Sequence, residues 1–136
     1  MVHALREAHR VLRPGGLVVD LRPAPKHRRV GLGVERSWRL VGVMREGFAE
    51  DHSANRAVAR VLRDGLFRLE GKREFLLDRV MDGIEDLRQW LSEFGERRML
   101  ISHRWLIRRV RRALTLRERK IVGRGPVMLR RLRKRG

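Results

Sequence analysis

The side chains of this sequence best suited to a chemical role are arginines near its carboxyl end. The chain has 136 residues, with 34 lysines and arginines against 16 aspartates and glutamates, so its formal charge is +18. Residues 97–136 carry 16 of the basic side chains and one acid, Glu118, a net charge of +15. A guanidinium group binds phosphate or carboxylate oxygens through paired hydrogen bonds. The sequence therefore offers eight candidate anion-binding residues: Arg104, Arg108, Arg109, Arg111, Arg112, Arg130, Arg131 and Arg133.

Several partners would suit these arginines. A basic helix can follow the phosphate backbone of a nucleic acid, in an electrostatic contact that salt weakens. The same helix, being amphipathic, would also suit an anionic membrane surface or an acidic protein. An arginine-rich surface in contact with solvent, as GC-rich codon usage produces, explains the composition equally well. Trp105 lies beside the arginines, whereas Trp90 is flanked by Leu87 and Leu91 at helical spacing and is predicted to pack in a core.

The residue types that catalyse reactions or bind metals are not arranged in recognisable motifs. The chain has no cysteine, and its serines lack a G-x-S-x-G elbow. His3 and His9 fall on one helix but are six residues apart, which does not suit two ligands on one face. Asp82, Glu85 and Asp86 form an acidic cluster that we interpret as a capping box of a helix. No catalytic residue, cofactor-binding residue or metal ligand is assigned.

The first predicted element of the fold is an amphipathic helix over residues 3–12. Arg13-Pro14-Gly15-Gly16 stops this helix and turns the chain, because proline disfavours the α conformation in the residue before it. Leu17-Val18-Val19-Asp20-Leu21 is a short apolar run rich in β-branched residues. Such a run is typical of a strand buried on both faces, as in a parallel sheet.

The rest of the chain alternates between strand and helix patterns. Two alternating runs predict a β-hairpin at about 28–46. Asp51 or Ser53 would cap a following helix, and the apolar residues of 67–81 indicate one long strand or two short ones around Gly71. The later elements are predicted as helices over 83–94 and 103–114, a last strand near 119–123, and a short helix from Pro126 to Leu132.

Residues 4–22, ALREAHRVLRPGGLVVDLR, resemble the fourth helix and fifth strand of class I S-adenosylmethionine-dependent methyltransferases, of the type 11-like group. The resemblance implies an α/β fold, the C-terminal half of a Rossmann-like sheet with strands five to seven and flanking helices. In this family the strand order is 3-2-1-4-5-7-6, and strands six and seven form an antiparallel edge pair beside strand five. The resemblance also implies that residues 1–136 form one partial domain. Its segments are a helix, turn and strand over 1–23, an insertion at 24–50, helices and edge strands over 51–123, and a basic tail at 124–136. The insertion would help to shape the substrate side.

The same resemblance places the cofactor site outside this chain. The family binds S-adenosylmethionine through a Gly-rich turn after strand one and an acidic residue ending strand two. Gly31-Leu32-Gly33 follows no suitable strand, and Gly123-Arg124-Gly125 lacks the Lys-Ser/Thr of a P-loop. We therefore expect a truncated, inactive form of a methyltransferase with an unidentified acceptor, which does not bind S-adenosylmethionine alone. Whether the chain is an enzyme is left open.

The sequence also leads to expectations about the partners and the cellular location of the chain. A strand with an open apolar edge tends to associate, so we expect either a missing N-terminal half or self-association through that edge. The alternative is a nucleic-acid-binding or interaction protein acting through the Arg-rich C-terminal segment. No apolar run approaches the roughly 20 residues of a membrane-spanning helix, and residues 1–20 lack a secretory signal pattern. A cytoplasmic location is the expectation.

Overall fold

The computed structural model describes residues 1–94, 100, 102–115 and 120–136. In chain order the elements are α1 (Val2–Val11), β1 (Leu17–Pro23), β2 (Arg29–Leu32), a 3-10 turn (Glu35–Ser37), β3 (Arg39–Val43), α2 (Ala49–Arg63), β4 (Phe67–Met81), α3 (Ile84–Ser92), α4 (His103–Ala113) and β5 (Ile121–Lys134). The fold is mixed α/β, with a five-stranded sheet in which β5 pairs with β1, β2 and β4, and β2 pairs with β3. No helix within the described ranges is long and apolar enough to cross a membrane.

The chain divides into two compact units. The first unit consists of 1–25, 49–75 and 127–136, and the second of 26–48 and 76–126. The long strands β4 and β5 each contribute residues to both units. Residues 67–81 form one continuous strand, which settles the choice between one long and two short strands.

The first unit packs α1 and α2 on one face of its strands. Its core contains Leu5 of α1, Val58 and Val61 of α2, Phe67 of β4 and Leu132 of β5. Gly15 has φ +75 and Gly16 donates its N–H to the carbonyl oxygen of Arg13 at 2.9 Å, so the glycines turn the chain from α1 into β1 as expected. α2 begins at Ala49, earlier than predicted, which places Asp51 in its first turn instead of at its cap.

β1 differs from the prediction of a parallel strand buried on both faces. It runs antiparallel to β5, with Leu17 opposite Arg133 and Pro23 opposite Val127. Because residues of a strand alternate between faces, only one face of β1 meets the helices. Leu17, Val19 and Leu21 are on the other face and are 36%, 56% and 56% exposed. The helices of the first unit leave this second face uncovered.

The second unit is built on the β2–β3 hairpin, which confirms the hairpin predicted at about 28–46. Its core packs α3 and α4 against the hairpin and the first residues of β5, through Val30, Leu32, Leu87, Leu91, Leu106, Val110 and Ile121. Trp90 is buried in this core, as predicted. Its ring lies directly on Gly123 of β5, where a Cβ atom would come within 2.4 Å of the indole.

The carboxyl end of the chain is a strand. The prediction of a helix from Pro126 to Leu132 is wrong, and the segment described as a basic tail, 124–136, lies largely in β5. Met128 and Leu132 are buried on one face of that strand, and Arg130 occupies the buried position between them. A charged residue at an inward position hid the two-residue period of the strand.

Candidate functional site

Arg130 is an internal residue of the first unit. One guanidinium nitrogen lies 3.2 Å from a carboxylate oxygen of Asp20, and the other donates to the side-chain oxygen of Asn55 at 2.8 Å. Asp20 also accepts two hydrogen bonds from Arg22, at 2.6 and 2.8 Å. The side chains of Arg130 and Asp20 are only 10% and 9% exposed. Arg130 is therefore committed to the fold and does not present a free cation to a ligand.

Arg131 and Arg133 converge on one carboxylate of the first unit. Arg133 donates to both oxygens of Glu70, at 2.7 and 2.9 Å, and a nitrogen of Arg131 lies 3.6 Å from the same group. Arg68 adds a third contact at 3.1 Å. The hydrogen bonds from Arg133 lower the pKa of Glu70 from 4.5 to about 2. Arg131 and Arg133 therefore surround an acid of the first unit, whereas the arginines predicted on α4 belong to the second unit.

The arginines of α4 are arranged differently. The helix begins after Ser102, whose hydroxyl oxygen accepts a hydrogen bond from the backbone N–H of Arg104 at 3.2 Å. Its apolar side, Leu106 and Val110, is buried in the core of the second unit. The arginines therefore point outward: Arg104, Arg108, Arg109, Arg111 and Arg112 are all exposed. The amphipathic pattern that predicted this helix also fixes its orientation.

Arg109 differs from the other four because it is held by the unit itself. Its Nε donates to the carbonyl oxygen of Val41 in β3 at 2.6 Å, and its guanidinium lies 5.3 Å from the centre of the Trp105 ring. Within the described part of the chain, the side chains of Arg104, Arg108, Arg111 and Arg112 form no ion pair. We therefore take these four as the candidate anion-binding residues of α4.

Two grooves run along α4. The first, which we call the α3–α4 groove, has a volume of about 510 Å³ and is lined by Arg88, Arg104, Ile107, Arg108 and Arg111. The second, which we call the Trp105 groove, has a volume of about 300 Å³ and is lined by Trp105, Arg108, Arg109 and Arg112. Arg108 lines both grooves. Arg88 was not among the predicted residues, although its position on the polar side of α3 is visible in the sequence.

The acidic cluster lies at the N-terminus of α3, as predicted, with Glu85 and Asp86 in its first turn, but it does not form the predicted capping box. The N-cap of α3 is Gly83, without a side-chain cap, so the capping box of Asp82 and Glu85 is wrong. Asp86 instead accepts a hydrogen bond from the backbone N–H of Asp82 at 3.0 Å, and Asp82 pairs with Lys120. Among the described residues no group of three or more histidine, aspartate or glutamate side chains could hold a metal ion.

The glycine-containing segments do not fit a cofactor. A Cβ atom at Gly33 would lie 2.7 Å from the carbonyl oxygen of Ser37, so the loop folds back on itself. At Gly123 the space is filled by Trp90, and at Gly125 a Cβ atom would lie 3.2 Å from the side chain of Arg28. At these three glycines, atoms of the chain occupy the space beside the backbone that a nucleotide would need.

Comparison of the chain with protein-family models, with curated proteins and with solved structures gives no match.

Proposed function

We propose that this chain is the C-terminal half of a class I methyltransferase-like domain and contributes strands five, seven and six to its sheet. β1 would be strand five, β5 strand seven and β4 strand six. The complete domain would transfer a methyl group from S-adenosylmethionine to an acceptor, with the cofactor held by strands one to four.

The observation that carries this proposal is the pairing of β1 with β5. These strands are separated by some hundred residues, yet the segment after the Arg-Pro-Gly-Gly turn lies antiparallel beside the last strand of the chain. β4 also pairs with β5, as does β2 of the hairpin. We assign β4 to the edge of β5 opposite β1, which gives the order β1-β5-β4 that the resemblance implies for strands five, seven and six. Agreement in the order of three strands is more specific than agreement in helix and strand content alone.

The exposed face of β1 supports the same proposal. Leu17, Val19 and Leu21 form an apolar row on one face of the strand, and within the described chain no strand pairs with its outer edge. Exposed apolar residues beside an open edge are a template for another chain. A neighbouring strand and a covering element from the half of the domain that carries strands one to four would bury both. Self-association of this chain through the same edge is the competing outcome.

The β2–β3 hairpin occupies the position of an insertion, because it follows β1 and precedes α2. In the complete domain we assign it to the substrate side. No catalytic residue is assigned to this chain.

A fusion protein tests the proposal. Strands one to four of a class I methyltransferase of known structure are joined to the amino end of this chain, and S-adenosylmethionine is titrated by calorimetry into the fusion and into the chain alone. We expect a one-to-one complex with the fusion and no binding heat with the chain. Binding by the chain alone at micromolar concentration would contradict the proposal, and so would a folded fusion that does not bind.

A matched pair of variants ties the result to β1. Val19→Lys places a charge on the face that the added strands and helices should cover, whereas Val11→Lys changes a residue of α1 that is also exposed. In the fusion we expect Val19→Lys to abolish binding and Val11→Lys to leave it within about twofold. In the chain alone both variants should unfold at nearly the temperature of the parent, since both residues are exposed there.

A further inference from the structure

We propose that α4 binds single-stranded nucleic acid, with phosphates in the α3–α4 groove and a base on Trp105. All the residues concerned belong to the second unit. The inference does not depend on the methyltransferase proposal, because it rests on the surface of one helix and not on the strand order.

The α3–α4 groove has the charge and the length that a phosphate backbone requires. Arg104, Arg108 and Arg111 follow one another at spacings of four and three residues, so they share one side of the helix. A rise of about 1.5 Å per residue spreads them over roughly 10 Å along the axis. Arg88 faces them from α3 across a groove of about 510 Å³. A row of cations along an open groove suits a chain of anions better than one compact ligand.

Charge repulsion within α4 also favours a polyanion as the ligand of this helix. α4 spans 11 residues and contains five arginines and no acidic residue, so the helix has no internal ion pair at the spacings that stabilise helices. Like charges three and four residues apart repel one another. A bound phosphate backbone would relieve that repulsion and release its own counterions.

A membrane surface is disfavoured by the orientation of α4. An interfacial helix binds lipid by inserting its apolar side below the headgroups. The apolar side of α4 is already used, because Leu106 and Val110 are buried in the core of the second unit. Only the polar side remains for a partner.

Trp105 favours a single strand over a duplex. Its side chain is 38% exposed and lies at the edge of the Trp105 groove between arginines. Stacking on an indole requires an unpaired base, whose ring a duplex keeps inside its own stack. Arg108 lines both grooves, so a strand held in the first groove passes within reach of Trp105.

Fluorescence anisotropy with a fluorescein-labelled 20-nucleotide oligo(dT) tests this inference on the full chain. Each phosphate contact on a single strand contributes about 0.7 to the slope of log K against log salt. Four arginines in the α3–α4 groove therefore predict a slope near −2.8, or about 50-fold weaker binding at 200 mM than at 50 mM NaCl. A duplex of the same length should bind more weakly than the single strand at both salt concentrations.

Two triple variants separate the site from the overall charge. The first changes Arg104, Arg108 and Arg111 to Gln, and its control changes Arg56, Arg60 and Arg63 of α2 to Gln, which removes the same charge from another exposed helix. Three lost contacts should make the slope less steep by about 2 and weaken binding at 50 mM NaCl more than tenfold. The control should change affinity less than threefold. An equal loss of affinity in the two variants would show that binding depends only on the overall charge of the protein, and would overturn the assignment to the α3–α4 groove.

Trp105 supplies a test that does not remove an arginine. Because stacking on one aromatic ring contributes about 1–3 kcal/mol, Trp105→Leu should weaken oligo(dT) binding at least fivefold, and Trp105→Phe should recover part of the loss. Tighter binding of the duplex, or no effect of Trp105→Leu, would refute the single-strand assignment. Displacement of the oligonucleotide by phosphatidylserine vesicles or by polyglutamate at the same anion concentration would assign the surface to a membrane or an acidic protein instead.

Discussion

The buried ion pair of Asp20 and Arg130 permits a quantitative prediction. Asp20→Ala removes a carboxylate that is 9% exposed and leaves the guanidinium of Arg130, itself 10% exposed, with Asn55 as its remaining hydrogen-bond partner. It also removes the two hydrogen bonds from Arg22, at 2.6 and 2.8 Å. Removing one partner of a buried ion pair costs about 3–5 kcal/mol, because the other charge stays in a poorly hydrated site. Arg22 is closer to the surface and can turn toward water, so we expect a loss of about 3 kcal/mol.

An exposed pair in the same unit gives the control. Arg6 lies 3.3 Å from Asp64, and their side chains are 48% and 38% exposed. Pairs in such surroundings contribute between 0 and about 1 kcal/mol, so Asp64→Ala should change the free energy of unfolding by less than about 1 kcal/mol. A second variant, Asp20→Ala with Arg130→Met, removes both buried charges. It should be more stable than Asp20→Ala alone, because no isolated charge is left.

Urea denaturation followed by far-ultraviolet circular dichroism measures these differences. The three tryptophans, Trp38, Trp90 and Trp105, all lie in the second unit, so fluorescence followed in parallel shows whether a loss is confined to the first unit. A loss for Asp20→Ala no larger than that for Asp64→Ala would refute the burial argument. So would a double variant that is less stable than the single one.

Two further stability predictions follow from the structure. The pKa of Glu70 is lowered from 4.5 to about 2, so its ion pairs stabilise the fold above pH 4.5 and are lost as the pH falls toward 2. In thermal melts between pH 6 and 2, the melting temperature of Glu70→Gln should therefore fall less on acidification than that of the parent or of Glu50→Gln. Equal decreases in melting temperature would contradict the pKa shift. Gly123→Ala places a Cβ atom within 2.4 Å of Trp90, whereas Gly47→Ala meets open space. Overpacking a core costs about 1–3 kcal/mol, so urea titration should show such a loss at Gly123 alone, and similar values at both positions would contradict the contact.

The helices and the hairpin could be predicted from the sequence because their information is local. An apolar stripe at helical spacing marks α1, α3 and α4, and the observed ends lie within about two residues of the predicted ones, which is the usual uncertainty of a helix boundary. The Arg-Pro-Gly-Gly turn is also local, since proline and glycine act on their own backbone angles. The alternation that marks β2 and β3 needs only a few residues on either side.

The sequence predicts the beginning of β5, a strand near 119–123, but not its continuation to Lys134, which depends on distant partners. Arg130 interrupts the apolar alternation of the strand and is accommodated by Asp20, which is 110 residues away. Contacts with residues distant in the sequence also separate the predicted anion-binding arginines into two groups. Arg131 and Arg133 resemble the arginines of α4 in the sequence, and only the position of Glu70 on β4 shows that they contact an acid of the chain itself. The exposure of the α4 arginines, by contrast, follows from the apolar residues between them.

The central claim is that β1 is built as an interior strand of a larger sheet, and hydrogen–deuterium exchange measures this most directly. In the chain alone at monomeric concentration, alternate amides of β1 face β5 and the others face the open edge, so we expect about half of them to exchange slowly. In the fusion with strands one to four, nearly all the amides of residues 17–22 should become slow. Full protection in the chain alone, or the same fast half in a fusion that binds S-adenosylmethionine, would contradict the claim.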